Sequence, residues 1–285
     1  MKLVKQSFEI LEQIDYSLKG IKQFIERCGR VCYKSEDRIT DDSYEKFVNM
    51  LIKKDHARPL EFGTVHLLIP ESDFKEAYAL LAEIGLDNCD WLQYCYYQGS
   101  YYVTTNYRYY LDIIKSVPSI QKYFSGTYSK YYPKRYTVHM ILSRGVMDEF
   151  RTHVTLSHLA ESTRYCAYNK DRFNNEVTFI IPDWVNTNCP NKEQEGPSVA
   201  SIKWSTAMLN AEASYMNLIK MGCTPQQARE VLPLSIKSEL ISCGFGSAWC
   251  NFFYRRCAKD AHPMAREIAT SLENKFKEMG LSFVY

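Results

Sequence analysis

Residues Lys134–Arg144 alternate, with Tyr136, Val138, Met140 and Leu142 on one side. A period of two is the mark of a strand with one apolar face. That face needs a second layer to cover it, so the chain cannot be a simple helical bundle. Phe62–Pro70 reads as another strand, with Val65, Leu67 and Ile69 together. Tyr101–Thr104 follows the turn Gln98-Gly99-Ser100, and Val177–Ile181 is a short strand ended by Pro182. Residues 1–60 read as helical, with a helix start at Thr40-Asp41-Asp42-Ser43. Glu71–Ile84, closed by Gly85, and Asn106–Lys115 are also read as helices. Residues 116–134 are read as an irregular aromatic excursion. Beyond the loop at 183–197 the expectation is helical throughout: 198–221 closed by Gly222, then Thr224–Leu232, 235–243 and 246–279. The expected class is α+β, with a central, mostly antiparallel sheet flanked by helices and a helical C-terminal half.

A net charge of +2 supplies no basic face, which argues against nucleic-acid coating and membrane-surface roles. The tyrosines crowd between Tyr94 and Tyr136, beside Trp91. Without supporting charge they read as packing and edge-strand residues rather than a base-stacking platform. Cys28 and Cys32 are four apart and the other cysteines are scattered, with no paired Cys-x-x-Cys units. This spacing points to reduced, mostly buried thiols and no metal site. The N-terminus lacks a signal-peptide core and no apolar run spans a bilayer, so a cytoplasmic protein is expected.

The stretch Glu149–Cys166 concentrates histidines, arginines, carboxylates and hydroxyls between apolar segments. It is read as a helix from Val146 to about His153, then a loop or second helix. It ends in Ser162-Thr-Arg164-Tyr165, a set suited to a phosphate or a pyrimidine. On residues alone it is an anion-site candidate or a solvated surface. His153 and His158 are five apart, a poor spacing for metal binding on one helix face. His158 and His262 read as structural, and Arg229 alone as a capping or pairing residue. Arg255-Arg256 lies in an aromatic helix, where burial would require an anion partner.

Together these motifs resemble the flavin-dependent thymidylate synthases. Ser157…Glu161-Ser162-Thr-Arg164-Tyr165-Cys166-x-Tyr168 resembles the end of the family signature, in which Arg-His-Arg precedes a Ser and a following Arg. His56-x-x-Pro59-Leu60-Glu61, Thr104-Thr-Asn-Tyr-Arg108, Arg144-Gly-Val146, Ala228-Arg229-x-Val-Leu-Pro233, Trp249-x-Asn-Phe-Phe-x-x-Arg256 and Ala261-His262-Pro263 follow in family order. The resemblance implies one domain over 1–285, with an aromatic-rich insertion near 91–134. It implies reductive methylation of dUMP to dTMP, with FAD carrying methylene from methylenetetrahydrofolate and NADPH as reductant. It also implies a homotetramer with active sites between subunits. Substrate contacts fall on Glu149, Glu161, Ser162, Arg164, Arg229 and Arg256, with Arg256 also polarising the uracil. Flavin contacts fall on His56, His153 and Asn251.

The chain departs from the family around the cofactor. Thr152-His153-Val154 stands for Arg-His-Arg, and Phe245-Gly-Ser247 for Asn-x-Arg. Arg151 is one place early, and Arg58 replaces a small residue. A weakened FAD site is therefore expected. Two other readings stay open: a non-catalytic dUMP-binding homologue, alone or paired with a paralogue in a mixed oligomer, and altered pyrimidine-nucleotide chemistry with another cofactor.

Overall fold

A computed structural model describes residues 1–83, 90–162, 168, 175–185 and 198–281. The chain runs β1 (Lys2–Val4), β2 (Ser7–Leu11), α1 (Leu18–Tyr33), α2 (Ser43–Lys53), a 3₁₀ turn (Arg58–Phe62), β3 (Thr64–Pro70), α3 (Glu71–Glu83), β4 (Gln93–Tyr97), β5 (Ser100–Asn106), α4 (Tyr107–Ser116) and β6 (Phe124–Ser125). It continues through β7 (Arg135–Ser143), α5 (Arg144–Phe150), β8 (Ser157–Ala160), β9 (Thr178–Ile180), α6 (Val199–Lys220), α7 (Pro225–Ala228), β10 (Lys237–Phe245), α8 (Gly246–Arg256) and α9 (Pro263–Glu278).

The central sheet is ordered β2-β7-β10-β8. Each neighbouring pair in it is antiparallel, and β7 and β10 pair along their full nine residues from Lys237↔Ser143 to Phe245↔Arg135. The alternating face of β7 is buried as its pattern requires. It packs under α5, α8 and α9 through Phe150, Trp249, Phe252, Phe253 and Phe276. Burying each such side chain stabilises by about 1.5–3 kcal/mol. The indole of Trp249 also donates to the Tyr136 carbonyl at 3.1 Å, so its one polar atom is satisfied. On the opposite face α1 covers the sheet through Phe24, Cys28 and Val31, against Leu159, Ile241 and Cys243.

A second antiparallel sheet, β4-β5-β3-β6, carries Tyr94, Tyr96, Tyr97, Tyr101 and Tyr102 on its β4–β5 hairpin. Its β4–β5 hairpin turns on Gln98 and Gly99, both at positive φ (45° and 75°), the geometry of a two-residue hairpin turn. Gly63, just before β3, lets that strand pass close to α1, since a Cβ there would lie 2.7 Å from Ile21 Cγ2. Tyr16, His66 and Tyr132 form a continuous stack, with centroids 4.4 and 3.9 Å apart. The tyrosines thus pack, as the composition suggested. The parallel pair β1-β9 is separate from both sheets.

Three stretches differ from the sequence reading. Residues 2–11 hold two strands rather than helix, and Phe8 and Ile10 of β2 alternate with exposed Ser7 and Glu9. Residues 237–245 form an inner strand of the central sheet rather than a helix. Its Ser238, Glu239 and Ser242 are buried with its apolar residues, so no polar alternation marks it. Within the polar stretch, Ser157–Ala160 is the sheet's edge strand β8. The helix before it starts at Arg144 rather than Val146, because Ser143 Oγ accepts the Val146 N–H and caps it, and Gly145 lies inside its first turn. The 246–279 segment, expected as helix, is divided into α8 and α9 at Cys257–His262. The described cysteines are all free, but only Cys28 and Cys243 are buried; Cys95 is exposed and the other four are half-buried.

Candidate active site

β7 feeds directly into α5, and β10 into α8, so both helices are fixed on the same face of the central sheet. Arg256, in the last turn of α8, reaches the end of α5. Its Nη1 donates to Glu149 Oε2 at 2.8 Å, and its Nη2 to the Glu149 carbonyl at 2.7 Å and Thr152 Oγ1 at 3.0 Å. Its Nε donates to His153 Nε2 at 2.8 Å. His153 must therefore accept at Nε2 and stay neutral. Burial and the Arg256 charge push its pKa down to about 4. His158 Nε2 faces the His153 carbonyl at 2.9 Å, and its Nδ1 faces Ser242 Oγ at 2.9 Å. The proton therefore sits on Nε2, since a carbonyl only accepts, and the serine hydroxyl donates to Nδ1. Burial likewise lowers the His158 pKa to about 4. The anion partner expected for Arg256 is thus Glu149.

A second polar cluster lies across the β10–β8 seam. Lys237 Nζ binds Glu161 Oε2 at 2.9 Å and Glu239 Oε1 at 2.5 Å. Glu239 also takes His139 Nε2 at 2.9 Å, and it pairs with Lys34. His139 and the two lysines hold the Glu239 carboxyl well below its ordinary range, against the opposing effect of burial. Glu161 Oε1 is buried and has no hydrogen bond among the described residues. The Ser162 N–H donates to the Cys32 carbonyl of α1 at 3.3 Å. Arg164 lies outside the described residues.

Beneath β8, Glu61 is buried and accepts from Arg108 Nη1 at 2.6 Å and Ser157 Oγ at 2.7 Å. Arg135, also buried, donates to the Glu61 carbonyl at 2.6 Å. This hub joins the 3₁₀ turn, α4, β7 and β8.

Three cavities border these groups. One of about 450 Å³ is lined by Glu149, Asp183, Trp184, Trp204 and His262, with Ser143 and Leu234. A neighbouring cleft of about 180 Å³ shares Leu234 and is lined by Arg144 and Arg229. A third, of about 310 Å³, is lined by Arg58, Arg151, Val154, Leu156 and His158. Of the residues expected to touch substrate, Glu149 and Arg229 therefore border adjoining cavities. Arg256 lines none of the three; it stands behind Glu149. Glu161 and Ser162 line none of them either.

The residues expected at the flavin are dispersed. His56 is exposed, with Nδ1 3.3 Å from the Tyr33 hydroxyl. Asn251 is exposed and accepts from Arg255 at 3.2 Å. Phe245 is buried with Arg135 over its ring, and Ser247 accepts from Gln93 at 3.0 Å. Sequence reasoning missed Trp184 and Trp204 as cavity walls. It also set His262 aside. A tryptophan beside Pro182-Asp183 at the start of the longest loop was the available signal. Among the described residues no group of three His, Cys, Asp or Glu could hold a metal, and no helix is long and apolar enough to cross a membrane.

The family profile described as thymidylate synthase complementing protein matches residues 128–279, over half the chain. The chain belongs to this family, the flavin-dependent thymidylate synthases. In this family member the matched region takes in the central sheet from β7 onward, all three cavity-bearing segments after residue 143, and helices α5 to α9. A flavin-dependent thymidylate synthase from Pyrococcus abyssi is 28% identical over 127 residues, which is 45% of this chain. The aligned part spans about half (48%) of that relative's length. Two solved structures of the UMP/dUMP methylase PolB from Streptomyces cacaoi are similar at 14% and 15% identity, with TM-scores of 0.45 and 0.44. They are bound with 5-Br UMP and 5-Br dUMP; each alignment covers 98% of this chain, and 92% and 93% of the respective neighbours.

Proposed function

We propose that this chain binds dUMP, or a related pyrimidine deoxynucleotide, and methylates it reductively to dTMP. The observation that carries the reading is the pair of adjoining cavities. One has a carboxylate, a histidine and two tryptophans; the other has two arginines. A pyrimidine offers a flat ring with an N–H donor flanked by carbonyls. Trp184 and Trp204 supply apolar walls. Arg256 takes Glu149 Oε2, which leaves Oε1 to accept from the ring N–H. His262 is the donor available to a ring carbonyl. The 5′-phosphate goes to Arg229 and Arg144, whose planar forks suit phosphoryl oxygens.

In this reading Arg256 is a positioning residue. It holds Glu149 in place through two hydrogen bonds, and it keeps His153 neutral. Glu161, Ser162 and Arg164 follow the edge strand β8. We assign them to the site of a neighbouring protomer, in a homotetramer or a mixed oligomer with a paralogue.

FAD, when bound, supplies the hydride and carries the one-carbon unit from methylenetetrahydrofolate, with NADPH as the reductant. The lining of the 310 Å³ cleft, two guanidiniums beside Val154 and Leu156, fits part of such a dinucleotide. His56, exposed near the 3₁₀ turn, and Asn251 would add contacts at the rim.

A second reading, nucleotide binding without turnover, is favoured by one observation. Every nitrogen of Arg256 is already engaged within the chain. Calorimetry with dUMP, followed by mass spectrometry of the products with FAD, NADPH and methylenetetrahydrofolate, tests both. Binding with dTMP formation supports the first. Binding without product supports the second, and no dUMP binding rejects both.

A further inference from the structure

A cavity on the opposite edge of the central sheet from β8 holds a buried cation without an anion. Its volume is about 330 Å³, and it lies at the end of β2, beside the starts of α1, β3 and β7. Arg135 lines it and is only 8% exposed. Its Nη1 donates to the Gly63 carbonyl at 3.4 Å and Thr64 Oγ1 at 3.2 Å, and its Nη2 to the Glu61 carbonyl at 2.6 Å. All three acceptors are neutral, and the Glu61 carboxylate is already taken by Arg108 and Ser157. Nε and one hydrogen of Nη2 thus have no acceptor among the described residues. A buried guanidinium in this condition is costly unless an anion joins it. The phenols around it show the same need. Tyr136 lines the cavity at 9% exposure, and its hydroxyl makes no hydrogen bond among the described residues, although a buried phenol ordinarily finds a partner. The Tyr16 hydroxyl is likewise unengaged there, while its ring is stacked on His66. Tyr128 acts electrostatically on both phenols, so the three hydroxyls lie close together. Burial holds the Tyr16 pKa up at about 12, so this phenol keeps its proton and donates.

We propose that this cavity binds a small aromatic carboxylate, with the acid group on Arg135, Tyr16 and Tyr136 and the ring against Phe24 and Leu11. Such a site is independent of the nucleotide reaction proposed above. Phe24 and Leu11 are buried in the cavity wall, and Ile14 stands 89% exposed at its mouth. An apolar lip of that kind suits the edge of a ring. Glu12, the one carboxylate among the described lining residues, is exposed at the mouth, as is Lys134, so neither reaches into the charge balance around Arg135. A volume of 330 Å³ is at the lower end of ligand pockets, roughly 300–1,000 Å³, which suits one ring or two fused rings. One uncancelled cation with neutral donors beside it matches a monoanion. A phosphate dianion would call for more positive charge and would leave the apolar wall bare.

The test is calorimetry on the full chain with benzoate and naphthoate, and with benzamide, inorganic phosphate and dUMP as comparisons. Either acid should bind saturably in the millimolar range or below and raise the melting temperature by mass action. Benzamide, a neutral isostere of benzoate, should bind at least about 10-fold more weakly, the range for losing hydrogen bonds to a charged group. Tyr16→Phe and Tyr136→Phe each remove one hydroxyl and keep the ring, and each should weaken the acids about 10-fold. Arg135→Met should weaken them about 100-fold, with folding checked by circular dichroism because Arg135 also holds the Glu61 turn. The affinity for dUMP should be the same in both tyrosine variants. No binding of either acid to the wild type would overturn the proposal, as would equal affinity for benzamide or unchanged acid affinity in both tyrosine variants. Displacement of benzoate by inorganic phosphate at equal concentration would overturn it in favour of a plain anion site. Displacement by dUMP would overturn it by making the cavity part of the nucleotide site. Acid binding of the expected pattern in a chain that binds no dUMP would uphold this cavity and sink the proposed function.

Discussion

Arg256 and Glu149 lie 107 positions apart and meet at 2.8 Å, and the same guanidinium holds His153 through its Nε. One cation thus fixes a carboxylate and a neutral imidazole together. Replacing Arg256 with Ala should leave both without their donor and cost about 2–3 kcal/mol of stability, given the partial exposure of the pair. The His153 pKa, held down partly by Arg256, should rise. Histidine titration by NMR checks this; an unmoved His153 would refute the coupling.

Acid should destabilise the protein early. Burial holds His66, His153 and His158 at about 4, against an ordinary value of 6.5. Between these values the unfolded chain takes up protons that the folded chain does not, so stability falls as pH drops from 6.5 to 4. Glu239, held below its ordinary 4.5, extends the loss to lower pH, since its stabilising charge is lost only as it protonates in the folded state. The melting temperature should fall steadily from pH 7 toward pH 4. A flat profile over that window would contradict the buried neutral histidines.

Arg229→Ala should weaken dUMP by about 10-fold while leaving deoxyuridine, which has no phosphate, unaffected. Equal losses for both ligands would show that Arg229 supports the fold rather than the phosphate.

Trp184 and Trp204 line the same cavity as Glu149. Binding of dUMP should therefore quench tryptophan fluorescence, and Trp184→Phe should reduce the amplitude. An identical quench in that variant would move the base away from this wall.

In the core, Phe276→Ala should cost about 3–5 kcal/mol, because Phe276 is fully buried against Tyr136, Trp249 and Phe253. Chemical denaturation measures it.

What the sequence disclosed follows from how each segment is buried. β7 was legible because one face alone is lined by an unbroken apolar row. β10 was not, because Ser238, Glu239 and Ser242 are buried inside the sheet; Glu239 is paired by Lys237 and Lys34, and Ser242 bonds His158, rather than facing water. β8 has four residues, too few to show a period. Motif resemblance singled out Glu149, Arg229 and Arg256, but spacing could not say that Arg256 bonds Glu149 and lines none of the three cavities. Arg58 and Arg151 were visible only as departures; their sharing of a cleft is a matter of tertiary structure.

The position of β10 bears on how the protein is made. This strand sits between β7 and β8, yet it is the last of the four to be synthesised. Some ninety residues separate the end of β7 from the start of β10, roughly 5–20 s of ribosome time at ~5–20 residues per second. Throughout that interval the apolar face of β7 has no α8 or α9 above it, and one of its edges is bare. A nascent chain in this state is a substrate for chaperones and a template for strand addition by a neighbour. Slow translation after residue 143 should therefore lower the soluble yield more than the same delay after residue 245.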